Sequence, residues 1–72
     1  MKQTNIEAIL QSDFYYSVKV GKAGADFVAS LQKYFYGDQV LVAQAFGASM
    51  EIALINLERL AGNAIAEGKV RL

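Results

Sequence analysis

Residues 38–66 have the sequence DQVLVAQAFGASMEIALINLERLAGNAIA, and the rest of the chain is arranged around them. The apolar run Val40–Ala43 includes β-branched residues, which favour a strand. Residues 45–49 predict a turn, and a helical pattern covers about residues 50–65. Gly47 is the expected pivot, because glycine can turn a strand into a helix at a positive φ without a Cβ clash. The helix N-terminus then offers free amides to either a phosphate or water.

Length and composition limit what the chain can be. It has 72 residues, which fits one small domain whose core is marginal when the domain is alone. It has no cysteine or histidine, so we expect neither disulfides nor a zinc site of the usual kind. Hydrophobic residues make up 54% of the chain, and the simplest use of this excess is a homo-oligomer, with a two-fold homodimer the first expectation.

The chemistry expected of an enzyme is missing from the sequence. Nucleophilic triads need a base such as histidine, the acids are scattered, and no P-loop or dinucleotide fingerprint is present. We therefore expect no catalytic residues, no cofactor and no small-molecule substrate. With no signal-peptide pattern and no apolar run of membrane-spanning length, we expect a soluble cytoplasmic protein that does not contact membranes.

The first half of the domain suggests a strand followed by a helix. Residues 14–20 alternate in polarity and open with three aromatic residues, which are core, interface or base-stacking candidates. Residues 21–24 predict a tight loop; a similar lysine-containing loop occurs in KH domains, although there it joins two helices. Apolar residues at helical spacing predict a helix over Ala25–Tyr36, with Gly37 as its C-terminal cap.

These elements lead to an α/β two-layer sandwich in βαβαβ order, with two helices on one face of a small mixed sheet. Val40–Ala43 is expected to be the central strand and to lie parallel to its neighbour through a right-handed crossover. Lys69–Leu72 is expected to begin a third strand. Residues 1–12 form an N-terminal arm with one helical turn or a short strand, and residues 13–72 form the single domain.

In that order of elements the sequence resembles the Alba superfamily of small dimeric nucleic-acid-binding proteins and the related stage V sporulation protein S family. The resemblance covers about residues 16–72. It depends on Val18-Lys19-Val20-Gly21-Lys22, on Phe27, Val28 and Leu31, and on residues 40–48 followed by Ala53 and a long helix. The chain departs from the archaeal pattern, because Phe46-Gly47-Ala48 replaces Arg-Gly-Arg and the basic hairpin after the second helix is missing.

The resemblance implies a dimer that binds DNA or RNA along the phosphate backbone without sequence specificity. Lys22 matches the family's backbone-contacting lysine, and the loop around Gly47 matches a second contact region. The candidate nucleic-acid-binding residues are Lys19, Lys22, Phe46, Gly47, Lys69 and Arg71. Each also has a structural interpretation: the basic residues as ordinary surface charge, and Phe46 as a hydrophobic staple for the second helix.

The alternative is a protein-interaction or assembly module on the same fold. It is favoured by the zero net charge and by Ile52 and Ile55, which widen the apolar stripe of the second helix beyond one face and are the candidate oligomer interface. The distribution of the seven basic residues discriminates between the two functions. A cluster around one groove indicates nucleic acid, whereas spread or paired charges indicate a protein partner.

Overall fold

The fold is a three-stranded sheet with helices before and after it, in a computed structural model that describes residues 3–12 and 14–71. Its elements in chain order are α1 Asn5–Leu10, β1 Tyr16–Ala23, β2 Asp26–Phe35, β3 Asp38–Gly47 and α2 Met50–Ala66. The strands form one antiparallel sheet in the order β1-β2-β3, so β2 is central. Among the described residues, no helix has the length and apolar character needed to cross a membrane.

The predicted βαβαβ order and the mixed sheet are therefore wrong. The segment predicted as a helix, Ala25–Tyr36, contains β2, which pairs antiparallel with a strand on each side. Val40–Ala43 belongs to the edge strand β3, not to a central strand with a parallel neighbour. Residues 69–71 form no strand, and Leu72 lies outside the described residues.

The spacing of the apolar residues in β2 explains the wrong prediction. The predicted helix was based on Phe27, Val28, Leu31 and Phe35. Three of these residues are spaced by four, which fits one face of a helix as well as one face of a strand, whereas Val28 fits only the helix. In the structure, Leu31 and the intervening Ala29 are fully buried. The alternation Phe27-Ala29-Leu31 thus belongs to a strand of period two.

Two tight turns make the antiparallel order possible. Tyr36 and Gly37 join β2 to β3 with φ angles of 50° and 86°. Two successive positive φ values are the pattern of a type I′ turn, whose twist matches that of a hairpin. Gly24, at φ 64°, begins the two-residue connection between β1 and β2. The two glycines thus form hairpin turns, and Gly37 does not cap a helix.

The second helix was predicted correctly. Ser49 is its N-cap, and the Ser49 hydroxyl accepts a hydrogen bond from the backbone N–H of Ile52 at 3.2 Å. One face of α2 packs on the sheet, and the core contains mainly small and medium-sized side chains. Its buried apolar residues are Ile9, Ala29, Leu31, Ala45, Ala53, Leu57, Ala61, Ala64 and Val70.

Gly47 lets α2 approach the end of β3 closely. A Cβ atom at this position would lie only 2.5 Å from the backbone nitrogen of Ala53 and 2.8 Å from the carbonyl carbon of Ile52. The strand continues through Gly47, and the turn begins after it. Gly47 does not have the expected positive φ. Its role is therefore close packing between strand and helix.

Candidate interaction surface on the two helices

Three large apolar side chains of α2 are left about half exposed by the described part of the chain. Ile55 is 59% exposed, Met50 is 53% exposed and Ile52 is 45% exposed. Full burial of one such side chain is worth about 1.5–3 kcal/mol. The predicted interface residues Ile52 and Ile55 are thus at the surface, as an interface between proteins requires, although a contact across them remains a prediction.

Helix α1 adds further apolar surface beside α2. A side-chain carboxylate of α2 holds the start of α1 in place through hydrogen bonds. The backbone N–H of Asn5 donates to Glu58 Oε2 at 2.7 Å, and that of Ile6 donates to Glu58 Oε1 at 2.9 Å. Within α1, the Thr4 hydroxyl accepts from the N–H of Glu7 at 3.1 Å. Free N–H groups at a helix start attract negative charge. Glu58 therefore caps α1 from a neighbouring helix and fixes its position.

Between the two helices lies an open groove of about 600 Å³. Its floor is apolar, and glutamates from α2 stand at its rim. The lining residues are Thr4, Ile6, Met50, Glu51, Leu54, Ile55 and Glu58. We call this groove together with the exposed Ile52 the helical surface.

The sequence indicates only part of the helical surface. It identified Ile52 and Ile55 but assigned the N-terminal residues to an arm, so the contribution of Ile6 was missed. The available signal was the spacing Thr4-x-x-Glu7, which is typical of a helix start. The groove itself depends on the contact of α1 with Glu58, more than 50 residues away along the chain.

The structure divides the predicted nucleic-acid-binding residues among the two faces of the sheet and the segment after α2. Lys19 pairs with Ser30, and Phe46 pairs with Val28, so both side chains lie on the sheet face opposite α2, which we call the open sheet face. There Phe46 is 52% exposed and cannot be a staple for α2.

The other predicted residues lie elsewhere. Lys22 pairs with Phe27 and so belongs to the helix side of the sheet. Gly47 is beneath α2. Lys69 and Arg71 follow α2 in the chain, and Lys69 Nζ forms an ion pair with Glu67 at 3.1 Å.

A further basic residue is held by aromatic rings of the same chain. Lys33 Nζ lies 5.4 Å from the ring centroid of Phe14, 5.7 Å from that of Phe35 and 5.8 Å from that of Tyr16. These are cation–π distances, so the ammonium is occupied within the molecule. Two of the three consecutive aromatic residues that lead into β1, Phe14 and Tyr16, are explained in this way. Among the described residues, the basic side chains are spread over several surfaces.

Searches of protein-family models, curated proteins and solved structures find no match to this chain. The resemblance to the Alba superfamily remains a prediction, and the fold that it implied is wrong.

Proposed function

We propose that this protein is an assembly module, whose function is to bind another protein chain through the helical surface. The observation that supports the proposal is the exposure of Met50, Ile52 and Ile55 beside an apolar groove. Single exposed apolar residues are normal on proteins, but a contiguous apolar patch with a polar rim is typical of a binding site.

The charges of the molecule agree with a protein partner. A surface that binds a nucleic-acid backbone has its lysines and arginines clustered on one face. Here Lys33 is enclosed by aromatic rings, Lys69 is paired with Glu67, and Lys19 lies on the open sheet face. The helical surface itself has two glutamates at its rim, so it repels phosphate.

Thiol labelling in living cells tests the proposal without knowledge of the partner. The chain has no cysteine, so Ile55→Cys introduces a single thiol at the centre of the helical surface. We expect a membrane-permeant maleimide to label Cys at position 55 slowly in cells of the native host and rapidly in dilute purified protein. Tyr36→Cys is the matched control, because Tyr36 is 90% exposed in a hairpin turn and far from the helices in sequence.

The control variant should react equally fast in both settings. If Cys at position 55 also reacts as fast in cells as in dilute solution, no partner covers the helical surface and the proposal is wrong. The thermal melting of both variants is compared with that of the native chain, to show that labelling differences do not come from unfolding.

A second candidate function is binding of a nucleic-acid backbone across the open sheet face. It is supported by Lys19 and Phe46, which offer a cation and a ring for stacking on the same face. Fluorescence anisotropy with labelled single-stranded and double-stranded DNA and RNA at two salt concentrations tests it. Binding that weakens with salt and is reduced by Lys19→Glu, but not by Lys22→Glu, would support this candidate; no binding at low salt would exclude it.

A further inference from the structure

The outward centre of α2 combines an exposed isoleucine with two opposite charges. Residues four apart in a helix lie nearly above one another, so Glu51, Ile55 and Arg59 form one ridge on the exposed side. Ile55 is the middle of this ridge. Its two ends stand about 6 Å from it along the helix axis, one acidic and one basic.

This ridge is complementary to itself in one orientation. If a second α2 packs antiparallel and centred on Ile55, Glu51 of one copy comes level with Arg59 of the other, and the same pair forms again on the far side. A parallel arrangement would place Glu51 level with Glu51 and Arg59 level with Arg59, which is repulsive. The two charges therefore favour the antiparallel arrangement and also specify its register.

The remaining residues near the ridge agree with this arrangement. Among the described residues, Arg59 has no acid within ion-pair distance in its own chain. Ile52 projects from the Arg59 side of the ridge, where the alkyl stem of the opposite Arg59 would cover it. Glu58 projects from the other side, and both its carboxylate oxygens already accept amides of α1.

We infer that the partner at the helical surface is a second copy of this chain, packed two-fold and antiparallel through α2 with Ile55 at the axis and two Glu51–Arg59 pairs between the copies. The inference rests on the proposed assembly function and names its partner. A two-fold contact of this kind closes after two copies, so the product is a dimer and not a filament.

Reversal of the charges tests the register. We expect Glu51→Arg alone and Arg59→Glu alone each to weaken the dimer by about tenfold, since each change replaces two attractive pairs with two repulsive ones. The double variant, Glu51→Arg with Arg59→Glu, restores the opposite charges and should return the dissociation constant to within about threefold of the native value. Sedimentation equilibrium measures all four proteins, and thermal melting confirms that each is folded.

A disulfide at the axis tests the geometry directly. Helix axes about 8–10 Å apart, with Cα atoms about 2.3 Å from each axis, leave roughly 3.4–5.4 Å between facing Cα atoms. A disulfide needs about 4.4–6.8 Å, so Ile55→Cys should form a covalent dimer rapidly under mild oxidation. Tyr36→Cys, whose thiol lies in the β2–β3 turn, should form little covalent dimer under the same conditions.

The possible failures separate the inference from the proposed function. A dimer whose stability is unchanged by both charge reversals and that forms no disulfide at position 55 would overturn the inference. The proposed function would still hold if position 55 were protected in cells. A purified monomer whose position 55 is nevertheless protected in cells would also overturn it, because the partner would then be a different protein. A monomer whose position 55 is not protected in cells would overturn the inference and the proposed function together.

Discussion

We expect Gly47→Ala to destabilise the fold more than an alanine substitution at any other glycine outside the turns. The new Cβ would lie 2.5 Å from the nitrogen of Ala53, 2.7 Å from Cγ2 of Ile52 and 2.8 Å from the carbonyl carbon of Ile52. Ordinary contacts of a Cβ begin at 3.4 Å, so the start of α2 must retreat by about 0.9 Å. Two of the three obstacles are backbone atoms, which no rotamer change can move.

The expected cost follows from this geometry. Overpacking of a well-packed core costs about 1–3 kcal/mol, and we expect the upper half of that range because α2 would have to move as a unit. A chain of this length has a total stability of roughly 4–11 kcal/mol. At about 4–8 °C for each kcal/mol, the melting temperature should fall by roughly 10–20 °C.

Thermal denaturation followed by circular dichroism measures the effect. Gly21→Ala is the matched control, because a Cβ there would meet nothing within 4 Å and Gly21 lies in the exposed part of β1. The control should change stability by less than about 0.5 kcal/mol or raise it slightly. Equal melting temperatures for Gly47→Ala and the native chain would show that α2 does not lie against β3 as described.

Two further substitutions test other parts of the fold. Tyr36→Asn creates an Asn-Gly pair at a residue with φ 50°. It should raise the free energy of unfolding by about 0.5–1 kcal/mol, reduced by the loss of the edge contact between the rings of Tyr36 and Phe35. A lower melting temperature would show that this ring contact stabilises the fold more than the improved turn does. Glu58→Ala removes the acceptor of the Asn5 and Ile6 amides and should cost about 1 kcal/mol. Hydrogen exchange at those two amides should accelerate, and unchanged exchange would contradict the capping of α1 by Glu58.

The two long elements show how far the sequence could predict the fold. In α2 the buried residues 53, 57, 61 and 64 have spacings of four and three, which fit a helix and not a strand. In β2 the residues 27, 31 and 35 are spaced by four, which fits both structures, and Val28 completed a helical pattern although it lies on the open sheet face. The turns distinguish a strand from a helix in this segment, because two-residue connections at Gly24 and Gly37 leave no room for a crossover helix.

The candidate site was predictable to a similar degree. Ile52 and Ile55 were found because they fall on the side of α2 opposite its buried stripe, and local periodicity is enough to show this. The groove was not found, because it exists only when Glu58 holds the start of α1. The predicted lysine patch failed to form for the same kind of reason: Lys19 and Lys22 are three apart in a strand, which places them on opposite faces of the sheet.

The helical surface is proposed as the place where α2 of this chain meets α2 of a second copy. The most direct test is a map of backbone amide chemical shifts, recorded as the purified protein is raised from low micromolar to near-millimolar concentration. We expect changes concentrated at Glu51, Ile52, Ile55 and Arg59, which disappear in Ile55→Glu. A spectrum that does not change with concentration, or changes confined to the open sheet face around Phe46, would contradict it.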